Sequence, residues 1–170
     1  ELQQKQYQHF VIIHGTDTLS YAAATLSRFL ADSCHVVLTG SQYPLLNVQG
    51  NTPREFTDAM DNLNTALDAV LKLPLGVYLA FSHQVIHART AMKAHSTDLD
   101  AFRGLKTDQN IAIDRQAIQV KLSHIERAKS LNIINWMMMP TESLQFENNL
   151  EILSKSSLNF LIIQAYGVGN

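Results

Sequence analysis

One stretch near the start of the chain, an apolar run followed by a glycine and an amphipathic segment, limits the folds that the sequence can adopt. Phe10 to Ile13 is short and rich in β-branched residues, as is typical of a buried strand in a parallel sheet. Gly15 ends this strand. The apolar residues that follow have the three-and-four spacing of one helical face: Leu19, Ala22, Ala23, Leu26, Phe29 and Leu30. Strand, glycine turn and helix are contiguous, which predicts an α/β fold.

Later segments extend this pattern into a sheet. His35 to Leu38, followed by Thr39 and Gly40, repeats the strand and glycine and completes a βαβ unit with a right-handed crossover. Gly76 to Phe81 predicts another strand, and Val85 to Ala88 predicts its partner after a turn at residues 82–84. The predicted fold class is α/β: a mostly parallel sheet flanked by helices, plus the start of a second, smaller α/β domain.

A second helix is predicted to start at Thr52. Thr52, Pro53 and Glu55 supply a capping hydroxyl, a proline at the first helical position and a glutamate three residues after the cap. The helix should end before Pro74, because the residue before a proline avoids helical geometry. Its expected apolar face is Phe56, Met60, Leu63, Leu67, Val70 and Leu71.

The end of the chain again alternates strand and helix. Ile111 to Val120 has the apolar and polar alternation of a strand, and the basic stretch Lys121 to Ser130 is expected to connect two domains, residues 1–124 and 125–170. Ile133 to Met139 is apolar and ends at Pro140, and Phe160 to Ala165 predicts a strand. Between them a helical face is marked by Phe146, Leu150 and Leu153.

Composition and charge exclude several classes of protein. Hydrophobic residues make up 46% of the chain and charged residues 16%, which excludes disorder. The formal charge of −2, without basic clusters among aromatic residues, excludes nucleic acid as a partner. The apolar runs are too short to cross a bilayer and no secretory signal opens the chain, so we expect a cytoplasmic protein with no membrane partner. The single Cys34 excludes an internal disulfide and is expected to be a packed thiol.

The sequence predicts neither a metal site nor a cofactor. His83 and His87 lie four residues apart, a spacing that brings side chains together in a helix but not in the hairpin expected here. His95 lies farther along, and no glutamate follows His83 as a metalloprotease pattern requires. Neither GxGxxG nor the P-loop pattern occurs. The run Met137 to Met139, beside Trp136, is interpreted as core rather than as a cofactor site.

Polar side chains follow the first strand at the position where open α/β sheets bind ligands. Thr16, Asp17 and Thr18 lie beyond its carboxyl end, and Ser41 and Gln42 occupy the same edge after the second strand. Asp17 or Thr18 could instead simply cap the helix that follows. We assign Ser41 and Gln42 no contact with a substrate.

Several motifs resemble the L-asparaginase family. His14 to Thr18, followed by Leu-Ser-Tyr-Ala-Ala, resembles the second active-site signature of that family. The segment with Arg89 and Lys93 four residues apart, followed by Asp-Ala-Phe at 100–102, resembles another family segment, and Tyr166 to Asn170 resembles a glycine turn of its carboxyl-terminal domain. The resemblance implies hydrolysis of L-asparagine to L-aspartate and ammonia without a cofactor, and a homodimeric or homotetrameric assembly.

The resemblance also implies that Thr16, Asp17 and Lys93 form one catalytic triad. The ammonium of Lys93 should then lie within about 2.7 to 3.2 Å of Thr16 or Asp17. Burial favours a neutral amine, which could accept a proton, whereas a neighbouring carboxylate favours a charged, orienting ammonium, and both roles stay open. Without the resemblance, Lys93 would be interpreted as an ordinary surface lysine.

Parts of the family pattern do not occur in these residues. The glycine-rich first strand with the first nucleophilic threonine, the flexible loop with its tyrosine and the serine-containing substrate loop are missing, so we expect an interior piece of an asparaginase. Two functions remain open: an amidohydrolase, inactive as the chain stands, or a non-catalytic α/β binding or assembly module derived from the fold. The missing strand would also expose the sheet edge beside Phe10 to Ile13.

Overall fold

The computed structural model describes residues 6–109, 111 and 121–165. Contacts divide the chain into two compact units, Glu1–Gln119 and Val120–Asn170, each of which is described by itself. The assignment of residues 1–124 and 125–170 to the two asparaginase domains stays a prediction. The strand expected at 111–120 and the turn at 166–170 lie outside the described residues, apart from Ile111.

Unit 1 contains the predicted sheet. Strands and helices alternate along its first part: β1 (His9–Ile13), α1 (Thr16–Leu30), β2 (His35–Thr39), α2 (Ala59–Lys72), β3 (Gly76–Phe81) and β4 (Gln84–His87). Two short strands follow, β5 (Met92–Lys93) and β6 (Phe102–Arg103), which pair with each other. The main sheet has the order β1-β2-β3-β4, with β1, β2 and β3 parallel and β4 antiparallel to β3. These findings confirm a mostly parallel sheet flanked by helices.

The interior positions of β2 and β3 are apolar because both faces of the sheet are covered there. On β2, Val36 and Leu38 belong to the cluster that contains Leu19 and Ala23 of α1. Val37, between them, points the other way and packs in the cluster of α2. Cys34 belongs to the first cluster and is 3% exposed, which confirms a packed thiol, and burial raises its pKa. The core therefore forms two layers, one on each side of β2 and β3.

The start predicted for the second helix is wrong, because α2 begins at Ala59. The Thr52 hydroxyl accepts a hydrogen bond from the Asn47 side chain (2.8 Å) and does not cap a helix. Pro53 forms an antiparallel bridge with Leu46, and Arg54 donates its backbone N–H to the Leu45 carbonyl. Backbone groups that a helix starting at Thr52 would have used are therefore hydrogen-bonded within the loop. The end at Lys72, before Pro74, agrees with the prediction.

The face predicted for this helix is wrong except at Val70, which is buried as expected. The buried residues of α2 are Asn62, Ala66, Ala69 and Val70. Met60, Leu67 and Leu71 are exposed instead, as is Phe56 in the preceding loop. The buried and the exposed residues of α2 both follow helical spacing. The buried set has the smaller side chains, which lets the helix pack closely against the sheet.

A two-residue turn joins β3 to β4. Ser82 and His83 both have positive φ values, 48° and 58°, as type I′ hairpin turns require. Gln84 pairs with Phe81 and already belongs to β4, so the turn is one residue shorter than predicted. The other edge of this sheet is β1, which pairs only with β2 among the described strands.

Unit 2 has the predicted strand, helix and strand after a first helix. Its elements are α3 (Leu122–Ser130), β7 (Ile133–Met137), α4 (Ser143–Ser154) and β8 (Phe160–Gln164). The basic stretch predicted as a connection is thus helical, and β7 pairs in parallel with β8. The interpretation of the methionine run as core is wrong in this chain, since Met137 and Met139 are 60% and 62% exposed. In the part of the chain that the structure describes, no helix has the length and apolar character needed to cross a membrane.

Candidate active site

The threonines and aspartate beyond β1 form the first turn of α1 rather than a separate loop. Gly15 is the N-cap, and α1 begins at Thr16, so the interpretation of Asp17 or Thr18 as the cap is wrong. This arrangement places Thr16 and Asp17 at the helix N-terminus, where unpaired N–H groups and the helix dipole favour negative charge. Both side chains are therefore free to contact groups outside the helix.

Lys93 reaches this turn from the hairpin of β5 and β6. Lys93 pairs with Phe102, and Phe102 is 4% exposed and packs against Phe81 of the main sheet. Nζ of Lys93 donates hydrogen bonds to Oγ1 of Thr16 (3.0 Å) and to Oδ1 of Asp17 (2.7 Å). The predicted convergence of the three side chains is confirmed. Lys93 is not an ordinary surface lysine, because only 15% of its side chain is exposed.

The pair of Lys93 and Asp17 is electrostatically asymmetric. Lys93 lowers the pKa of the Asp17 carboxyl, first by its hydrogen bond and then by its charge. The Asp17 side chain is 94% exposed, so water faces the carboxylate while the lysine stem is covered. An ionised Asp17 is the form that can balance positive charge on Lys93.

The structure adds Gln42 to the site. Oγ1 of Thr16 donates a hydrogen bond to Oε1 of Gln42 at 3.1 Å. The sequence predicted only that Gln42 shares the sheet edge with Thr16. The shared sheet edge was the sequence signal that could have pointed to Gln42. The hydrogen bond between Gln42 and Thr16 itself depends on how the loop after β2 folds.

The histidines considered as metal ligands do not converge. His83 lies in the hairpin turn, and His87 contacts the carbonyl of Gln109 (3.0 Å). His95 lies 3.5 Å from a carboxylate oxygen of Asp98. Across residues 6–109, 111 and 121–165, no group of three His, Cys, Asp or Glu side chains could hold a metal ion.

Comparison with known proteins identifies the family. Residues 1–127 match the family model described as Asparaginase, N-terminal. The chain belongs to the asparaginase family. This is a family of amidohydrolases, and the match confirms the resemblance noted in the motifs.

Individual relatives agree with this membership. The chain is similar to the L-asparaginase of Thermococcus kodakarensis, with 37% identity over 101 residues, which is 59% of this chain and 29% of the relative. The structure of the thermostable L-asparaginase from that organism superposes with a TM-score of 0.64 at 26% identity, covering 98% of this chain and 50% of the other. The probable cytoplasmic L-asparaginase of Campylobacter jejuni has a TM-score of 0.68 at 20% identity, covering 99% and 56%, and shows the shared fold. The sequence match thus spans under a third of the curated relative, and the structural matches about half of their chains.

Proposed function

We propose that this chain supplies Thr16, Asp17 and Lys93 to the active site of an amidohydrolase that converts L-asparagine to L-aspartate and ammonia. The observation that carries the proposal is the position of Nζ of Lys93, 3.0 Å from the Thr16 hydroxyl and 2.7 Å from the Asp17 carboxylate. The proposal includes a homodimeric or homotetrameric assembly, which the family resemblance implies, and the cytoplasmic location expected from the sequence.

The three groups are suited to proton transfer beside an amide carbonyl. A hydroxyl attacks an amide carbon usefully only when another group takes its proton. Lys93 in its neutral form can accept that proton, and the resulting ammonium is balanced by the carboxylate of Asp17. When the carbon–nitrogen bond breaks, the same proton can pass to the leaving nitrogen, which departs as ammonia and leaves an ester. Attack of water on that ester then releases L-aspartate and returns a proton to the hydroxyl oxygen. Thr16 holds the hydroxyl that Lys93 contacts directly.

We further propose that the 170-residue chain does not turn over asparagine at a useful rate. In family terms these residues lack the first nucleophilic threonine and its loop. Catalytic groups that act as a unit do not contribute separately, so loss of a positioned nucleophile removes several orders of magnitude of rate. The alternative of a non-catalytic module predicts no turnover even in a longer protein that contains the chain.

Ammonia release from asparagine tests both proposals. We expect turnover by a longer protein that contains this chain, and a loss of at least about 10²-fold with Thr16→Ala. Thr18→Ala is the matched control, because Thr18 is an exposed threonine of the same helical turn. Robust turnover by the purified 170-residue chain would show that the missing threonine is dispensable. An inactive longer protein would favour the binding or assembly module.

A further inference from the structure

Gln42 is held at the site by both ends of its side-chain amide. Its Nε2 donates to the carbonyl oxygens of Ser96 (3.1 Å) and Asp98 (2.9 Å), and its Oε1 accepts from Thr16 (3.1 Å). These partners fix which end of the amide is which, since carbonyl oxygens require the NH₂ group. Ser96 and Asp98 belong to the segment between β5 and β6, directly after Lys93. One side chain thus links the first turn of α1 to the hairpin that carries the lysine.

The backbone of Gln42 is fixed as well. The carboxylate of Asp58 accepts the backbone N–H groups of Gln42 (3.0 Å) and Tyr43 (2.9 Å). Asn62 also donates to that carboxylate (2.9 Å), and to the carbonyl of Gly40 (3.0 Å). Because Asn62 is 1% exposed, the loop after β2 is anchored on a buried, hydrogen-bonded residue of α2. The backbone that carries the Gln42 side chain is therefore held in place by hydrogen bonds.

We propose that Gln42 is a positioning residue that sets the direction of the hydrogen bond between Thr16 and Lys93. A threonine hydroxyl has one proton and two acceptor sites. Its proton is directed to Oε1 of Gln42, so the oxygen presents a lone pair to Nζ of Lys93, which must be the donor. For Thr16 to give its proton to Lys93, that proton must first leave Gln42. Gln42 thereby defines the resting state of the triad, a role that rests on the proposed function.

NMR of the 170-residue chain tests the contact without requiring activity. The side-chain amide signals of Gln42 are assigned by their loss in Gln42→Met, and those of the exposed Gln49 serve as the control. We expect the Gln42 protons to exchange with water on the order of tenfold more slowly than those of Gln49. Thr16→Val, which keeps the side-chain shape but removes the hydroxyl, should shift the Gln42 signals and leave the Gln49 signals in place. Exchange as fast as that of Gln49, or Gln42 signals unmoved by Thr16→Val, would overturn the proposal.

Kinetics in a longer, active protein containing the chain test the role. Gln42→Met should lower kcat on the order of tenfold and leave KM within about twofold, because Gln42 contacts Thr16 and is assigned no contact with the substrate. Gln42→Glu should not restore kcat, since a carboxylate cannot donate to the carbonyls of Ser96 and Asp98. An unchanged kcat, or an effect on KM alone, would overturn the positioning role. If the unmutated longer protein is inactive, the proposed function fails and the NMR experiment still decides the contact.

Discussion

At the scale of single residues, the ion pair of the site orients groups rather than stabilising the fold. The Asp17 side chain is 94% exposed, and an exposed carboxylate is well screened by water and salt. Lys93 is mostly covered, and its Nζ must stay in one place to contact Thr16 and Asp17 together. The carboxylate therefore restricts where Nζ can lie, which matters for proton transfer more than for the free energy of unfolding.

Replacing the lysine should change the titration of this carboxylate. With Lys93→Met we expect the pKa of Asp17 to rise toward its ordinary value of 3.8, because both causes of its lowering are removed. The direction of the pH dependence follows from linkage, because the Asp17 pKa is lower in the folded state than in the unfolded state. The stabilisation of the folded state by the pair is fully present above pH 3.8, and it is lost as pH falls through the lowered pKa. Carbon-13 NMR of the Asp17 carboxyl measures this. Lys72→Met, which removes the exposed partner of Asp68, is the control and should leave Asp17 unchanged. Identical titrations in Lys93→Met and the unmutated chain would contradict the pairing.

At the scale of elements, the two glycines at the carboxyl ends of β1 and β2 have different reasons to be there. Gly15 has φ −65° and ψ 141°, a conformation open to any residue, and an added Cβ would meet no atom within 4 Å. A Cβ on Gly40 would collide with the backbone carbonyl oxygen of His14. The two strand ends approach closely there, with His14 N–H donating to the Thr39 carbonyl at 2.8 Å. Gly40, rather than Gly15, is required for the edge on which Thr16 lies.

Two alanine substitutions should therefore have different effects on stability. We expect Gly40→Ala to lower the free energy of unfolding by about 1 to 3 kcal/mol, because backbone must move to admit the methyl group. Gly15→Ala should change it by less than about 0.5 kcal/mol, since reduced freedom of the unfolded chain offsets a weaker N-cap. Urea denaturation followed by circular dichroism gives both values. Equal stability of the two variants would show that the strand ends separate at little cost.

The same elements show what sequence patterns can and cannot predict. β1, β2, β3 and α1 are confirmed because local apolar periodicity alone specifies them. The start of α2 was wrong because the Thr52 hydroxyl pairs with Asn47, a contact set by the loop. Convergence of Lys93 with Thr16 came from the family resemblance, since no local pattern joins residues that far apart. The role of Gln42 also depends on a distant segment, through Ser96 and Asp98.

At the scale of the whole molecule, the two units differ in how much they bury. In unit 1 both faces of the central strands are covered, and Val37, Leu38 and Leu79 are fully buried. Among the described residues of unit 2, none is buried, and α3 and α4 contribute no buried side chain. Since apolar burial supplies most of the driving force for folding, the two units should not be equally stable.

Hydrogen exchange should reveal this difference. β2 and β3 each have a bonded neighbour on both sides, whereas β7 and β8 pair only with each other among the described strands. We expect amides of β2 and β3 to exchange only by global unfolding, and amides of β7 and β8 to exchange by local opening, at least about tenfold faster. Mass spectrometry of peptides from the four strands measures the rates, and the loop at residues 43–57 provides an exposed reference within unit 1. Protection of β7 and β8 equal to that of β2 and β3 would contradict the inference, and would mean that unit 2 is covered by something other than its own side chains.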